Sequence, residues 1–125
     1  MKLIDFGFSV NAFPRDKLKV FCGTPSYMAP EIVQKKEYTG QSIDVWALGV
    51  ILYTLLAGFF PFRGQSEKDL FRKISRGLFQ MPDCISIEAK RVLTKLLTID
   101  PAKRPTAHEV SNGTLAKLTL LVFLL

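Results

Sequence analysis

From Val45 to Phe62 the chain runs 18 residues without a charge. Its apolar positions there (Val45, Trp46, Leu48, Val50, Ile51, Leu52, Leu55, Leu56), with Ile43 just before, fall on every side of a 3.6-residue helix rather than along one stripe. Such a helix has to be enclosed by others. The Ser42 hydroxyl can accept from an early amide, Asp44 complements the helix dipole and Gly58 can end the helix, so a helix over Ser42 to Ala57 is predicted. Its length reaches the lower edge of a bilayer span. Gly49, Tyr53, Thr54, Gly58 and Pro61 interrupt the run and Asp44 flanks it, which makes a buried core helix the expectation.

Further helices announce themselves through cap chemistry. Ser66 with Asp69 resembles a capping box, Leu70, Phe71 and Ile74 give one apolar face, and Gly77 is a C-terminal stop. Ser86 opens a helix whose Leu93, Leu96 and Leu97 share a face and which ends before Asp100-Pro101. Thr106 and Glu109 form a last box for a short helix. Upstream the pattern differs: Lys2-Leu3-Ile4 reads as the end of a strand, and Phe8 to Pro30 shows no sustained period. Pro14, Gly23, Pro25 and Pro30 punctuate that loop, and loops so long usually carry function. The expected class is mainly α, with a short N-terminal strand remnant and a long loop.

With 125 residues, 48% hydrophobic and 22% charged, the composition is that of one modest globular unit. A net charge of +6 comes from cations scattered among acids, with one cluster at Arg15, Lys17 and Lys19. No aromatic interleaving accompanies it, so a nucleic-acid partner is not expected. Cys22 and Cys84 are far apart, without metal-ligand spacing or a signal peptide ahead of them, which points to a reduced cytoplasmic setting with neither disulfide nor zinc.

The candidate chemistry lies in the loop. In Asp5-Phe6-Gly7 the carboxylate is a hard oxygen ligand suited to magnesium, and the glycine lets the backbone turn tightly. Standing alone, such a tripeptide is an ordinary turn.

Four blocks stand together, however: Lys2-Leu3-Ile4-Asp5-Phe6-Gly7-Phe8-Ser9; Phe21-Cys22-Gly23-Thr24-Pro25-Ser26-Tyr27-Met28-Ala29-Pro30-Glu31; Asp44-Val45-Trp46-Ala47-Leu48-Gly49; and Asp100-Pro101-Ala102-Lys103-Arg104-Pro105-Thr106. In order and spacing they resemble the Ser/Thr protein kinases, in detail the AMP-activated and microtubule-affinity-regulating kinases of the calmodulin-kinase group. The resemblance implies a helical C-lobe of the kinase fold with its activation loop. Residues 1–110 would be a partial kinase domain and 111–125 a divergent hydrophobic tail.

It further implies roles. Asp5 would chelate the magnesium bridging the β- and γ-phosphates of ATP, Phe6 would pack between lobes and Gly7 would permit the hinge. Gly23, Thr24 and Pro25 would receive the residue after the phospho-acceptor, with the Thr24 hydroxyl bonded to the catalytic aspartate, which implies Ser and Thr in protein substrates. Glu31 would pair with Arg104, and Asp44 would accept amides of the catalytic loop. Trp46 and Gly49 are read as packing, His108 as a surface residue and Cys22 as a small buried thiol.

Several family parts are not among these 125 residues: the glycine-rich phosphate loop, the strand lysine, its glutamate partner, and the His-Arg-Asp segment with its asparagine. No catalytic residue set is complete, so phosphoryl transfer by the isolated chain is not expected, and ATP and Mg2+ belong to a complete domain only. Val20 stands where close relatives carry an activating threonine, Ser9 is too near the metal motif to replace it, and Thr54 replaces a glutamate of arginine-directed kinases. The ends read as truncated or frame-altered. Lacking its N-lobe, the chain is expected to be marginal or dependent on a partner protein, since each large apolar side chain left wet forfeits about 1.5–3 kcal/mol. A non-catalytic interaction fragment and, ranked last, a small membrane polypeptide are the alternatives.

Overall fold

Local cap chemistry places the helices of the computed structural model, which describes Lys2, residues 4–13 and residues 15–112. The chain enters as an irregular segment, makes one 3₁₀ turn at Pro25–Tyr27, and then forms α1 (Pro30–Val33), α2 (Gly40–Ala57), α3 (Glu67–Arg76), α4 (Ile87–Leu96) and α5 (Ala107–Asn112). Pro30 opens α1, where its missing N–H costs nothing. The Ser66 hydroxyl accepts from the Asp69 amide at 3.2 Å, and Gly77 closes α3 in the left-handed conformation. The Ser86 hydroxyl accepts from the Ala89 amide at 3.2 Å. Thr106 and Glu109 exchange both bonds of the box, at 3.2 and 2.8 Å.

Two expectations need correction. α2 starts at Gly40 rather than Ser42, with Thr39 as its extended cap residue. The Ser42 hydroxyl points back instead, donating to the Thr39 carbonyl at 2.8 Å, so it is satisfied inside the first turn rather than at its mouth. The strand remnant is not formed at Lys2 or Ile4, and Leu3 lies outside the described residues. A strand exists only through ladder bonds to a neighbour, and no described residue pairs with this segment. Residues 113–125, most of the expected tail, also lie outside the described residues.

α2 supplies buried side chains to two of the three apolar clusters, while α1 packs mainly on α3. On one side Val45, Leu52 and Tyr53 meet Ala89, Val92, Leu93 and Leu96 of α4 and Val110 of α5. On another, Trp46 and Val50 meet Ala29, Phe62, Leu97 and Ile74 of α3. A third cluster of Met28, Ile32 and Tyr38 seats the start of the chain's helical part. α2 is long and apolar enough to cross a bilayer, yet Trp46 and Val50 are fully buried in these clusters. Its remaining face is open: Ile51 is 42% and Leu55 56% exposed.

Gly49 sets the approach of α2 to the end of α4. A methyl group built there would lie 2.8 Å from Leu96 Cβ and 3.0 Å from Leu97 Cδ2. A mid-helix Gly→Ala change normally stabilises by roughly 0.5–1 kcal/mol. Gly49→Ala is instead expected to destabilise by about 1–3 kcal/mol through overpacking, whereas Gly40→Ala, whose methyl meets only Leu18 Cδ1 at 3.8 Å, is expected to be near neutral. Urea unfolding of the two variants checks the contrast; a stabilised Gly49→Ala would contradict this packing.

Candidate functional site

Arg104 gathers the chain's distant parts. Its guanidinium has five N–H donors, and each finds an oxygen: Nε donates to the Thr98 carbonyl at 3.1 Å, Nη1 to Glu31 Oε1 at 2.9 Å and the Ser42 carbonyl at 2.6 Å, Nη2 to Glu31 Oε2 at 3.1 Å and the Ile99 carbonyl at 3.3 Å. Glu31 is 4% and Arg104 5% exposed. Ser42 Oγ adds a long bond of 3.4 Å to Glu31 Oε1. The indole of Trp46 lies 5.2 Å beneath the guanidinium and stacks at 5.5 Å on Phe62. A charge pair this dry is tolerable because all five guanidinium protons find an oxygen and both carboxylate oxygens accept one, while the buried Trp46 indole N–H finds no partner among the described residues. It ties α1, the first turn of α2 and the turn after α4 at one point.

The segment so tied is the one that leads out of the Gly23-Thr24-Pro25 loop. Gly23 has φ of +114°, a conformation that side-chain-bearing residues rarely adopt. It turns the chain so that Thr24 can precede the 3₁₀ turn, whose Tyr27 amide donates to the Thr24 carbonyl at 3.0 Å. Thr24 is exposed and its hydroxyl makes no cap bond. Tyr27 packs edge-on against Phe60 at 5.3 Å, holding the far side of the loop.

Asp5 stands at the mouth of a cavity of about 720 Å³, also lined by Gly7, Phe8, Tyr38, Ile43 and Asp44. Its backbone is left-handed, φ 61°, which aspartate tolerates better than most residues. Its Oδ1 accepts from the Gly7 amide at 3.3 Å, and Ser9 closes the turn with its amide and hydroxyl on the Phe6 carbonyl at 3.0 and 2.7 Å. Phe6 is 68% exposed, so no described residue covers the ring expected between lobes. Asp44, also exposed, accepts no hydrogen bond from a described residue, and partial desolvation pushes its carboxyl above the ordinary value.

Asp5 and Asp44 thus share one cavity, and Glu31, Arg104 and Trp46 share one buried cluster. Gly23, Thr24 and Pro25 do not line the cavity. His108 is exposed, with its ring against Asn112. As a magnesium site the donor set is incomplete: Asp5 supplies a suitable oxygen, but no group of three or more acidic, His or Cys side chains occurs among the described residues, and magnesium takes six oxygens. The residues present supply one ligand of that ion.

Two features escaped the sequence reading. The three backbone carbonyls on Arg104 carry no residue-type signal. The other is a fastening at Leu18, whose amide donates to the Tyr38 carbonyl at 2.9 Å while its carbonyl accepts from the Tyr38 amide at 3.1 Å; the alternation Leu18-Lys19-Val20 is the trace that sequence leaves of it.

The protein kinase domain family matches residues 1–115, and the chain belongs to that family. Three relatives share its sequence. A probable serine/threonine-protein kinase MARK-A of Dictyostelium discoideum is 43% identical over 112 residues, 90% of this chain and 11% of the relative. A probable serine/threonine-protein kinase HSL1 of Saccharomyces cerevisiae is 41% identical over 117 residues, 94% of this chain and 8% of the relative. The carbon catabolite-derepressing protein kinase of Candida tropicalis is 43% identical over 110 residues, 88% of this chain and 18% of the relative. The chain therefore spans a small part of each relative's length.

Arg104→Met strands Glu31 as a buried carboxylate and is expected to cost about 3–5 kcal/mol. Arg104→Lys keeps the charge with three donors for five acceptors, so it is expected to recover only part of that loss. Urea denaturation measures both; a methionine variant within about 0.5 kcal/mol of the parent would mean that the fork contributes nothing.

Proposed function

We propose that this chain is the activation-loop and helical portion of a Ser/Thr protein kinase. It takes part in phosphoryl transfer from Mg-ATP to protein Ser or Thr as part of a longer polypeptide, and does not perform it as these 125 residues. The buried Glu31–Arg104 fork carries the reading, because it anchors the segment that presents Gly23-Thr24-Pro25 to a rigid helical base. The names of the relatives, all protein kinases, support the same reaction class.

In that setting Asp5 would be one carboxylate ligand of a magnesium ion, whose chemistry when bound would be to offset negative charge on the phosphates. Thr24 offers an exposed hydroxyl where the substrate residue is aligned, and matches Ser and Thr acceptors. Asp44, at the rim of the shared cavity, is placed to accept amides from a segment entering it. An intracellular setting follows, with protein substrates and neither nucleic acid nor membrane as partners.

An interaction fragment without catalysis is the second reading. It draws on the apolar side chains left in solvent: Phe6, Phe8 and Phe13 on the loop and Ile51 and Leu55 on α2. Such a surface suits a docked lobe or partner protein.

Purified 125-residue chain, given Mg-ATP and a library of Ser/Thr peptides, is expected to incorporate no phosphate above background. The same residues joined to the upstream portion of the Dictyostelium relative are expected to phosphorylate peptides, and Asp5→Ala in that chimera to bring the signal to background. Activity of the isolated chain, or a silent but folded chimera, would overturn the proposal.

A further inference from the structure

The loop ahead of Thr24 contains no Ser, Thr or Tyr from Val10 through Gly23, so no hydroxyl in that stretch can take a phosphate. Yet its last part is held in register. The Leu18 and Tyr38 backbones exchange both hydrogen bonds, at 2.9 and 3.1 Å. The Tyr38 hydroxyl then reaches past that pair and donates to the Val20 carbonyl at 2.7 Å.

Neighbouring side chains reinforce the contact. Lys19 Nζ meets a Glu37 carboxylate oxygen at 3.1 Å, and the Lys35 ammonium lies 5.7 Å over the ring of Phe21, which also packs edge-on against Phe71 of α3 at 6.1 Å. The contributions are unequal. Lys19 and Glu37 are 73% and 53% exposed at their side chains, so their pairing is screened and weak. Tyr38 is 6% exposed and packs on Met28 and Ile32; burial pushes its phenol above the ordinary value of 10, so it stays a protonated donor at neutral pH.

We infer that Tyr38 is the positioning residue of the loop: with Leu18, Val20 and Glu37 it clips the segment leading to Thr24 onto the segment after α1, a constitutive fastening that needs no covalent phosphate. The functional weight of the clip rests on the proposed role of Thr24, since what it fixes is the approach of the chain to Gly23. The clip itself is a property of these 125 residues and is read without any activity.

Hydrogen–deuterium exchange of the full chain, followed on a peptide spanning residues 17–23 and on a reference peptide spanning 89–97, tests it. Tyr38→Phe keeps the buried ring and removes the hydroxyl; exchange at 17–23 is expected to rise roughly 3- to 10-fold, the loss of one net hydrogen bond, with 89–97 and the melting temperature unchanged. Leu18→Pro, which deletes one bridging amide in the loop and leaves Tyr38 intact, is expected to speed exchange of the Tyr38 amide, which donates to the Leu18 carbonyl. Three results would overturn the inference: 17–23 unprotected in the parent chain, no change in either variant, or equal loss of protection at 89–97. A failed phosphorylation assay of the chimera leaves all three readouts intact, so the two proposals fail separately.

Discussion

A carboxylate and a guanidinium buried together, Glu31 on α1 and Arg104 after α4, hold three separate stretches of the chain at one point. Taking two charges out of water is expensive, and the oxygen found by each of the five guanidinium protons offsets that cost. Here Thr98, Ile99 and Ser42 give up backbone carbonyls to the guanidinium, and Trp46 covers its face. Each of those carbonyls belongs to a helix end or turn that must therefore sit where it does. The pair thus specifies geometry more than it adds stability: it fixes α1 against α2 and both against the turn that follows α4.

From that fixed point the loop geometry follows in both directions. Downstream, α2 supplies Trp46 and Val50 to one core and Val45, Leu52 and Tyr53 to another, so these two clusters share one helix. Upstream, Ala29 and Met28 are buried, Tyr27 of the 3₁₀ turn packs on Phe60, and Thr24 is left exposed. Asp5 has no comparable support. It stands in an open turn among the exposed Phe6, Phe8 and Phe13.

Sequence made the helices legible because caps are local chemistry. Ser66, Ser86, Thr106 and Gly77 each act within four residues of themselves, and each sits where that chemistry puts it. The start of α2 was misread because Ser42 is a good cap by type, while the choice between Thr39 and Ser42 was made by bonds to the Thr39 carbonyl and Glu31, the latter eleven positions away. Glu31 and Arg104, 73 residues apart in sequence, were paired only through resemblance to a family; no periodicity or spacing joins them. The Tyr38 clip was missed for a related reason, since its acceptors are backbone carbonyls and residue type does not announce them. The strand expected at Lys2–Ile4 shows the converse: a β-compatible tripeptide stays irregular when no described residue offers it a ladder.

A double-mutant cycle on Glu31→Gln and Arg104→Met, read by urea denaturation of the 125-residue chain, measures the coupling between the two charges. If the fork is the fastening of the fold, the double variant will be less destabilised than the sum of the single variants by at least about 1 kcal/mol, because the second change removes a partner already stranded by the first. Single-variant losses that simply add, within about 0.3–0.5 kcal/mol, would contradict it and leave the two charges as neighbours without a joint role.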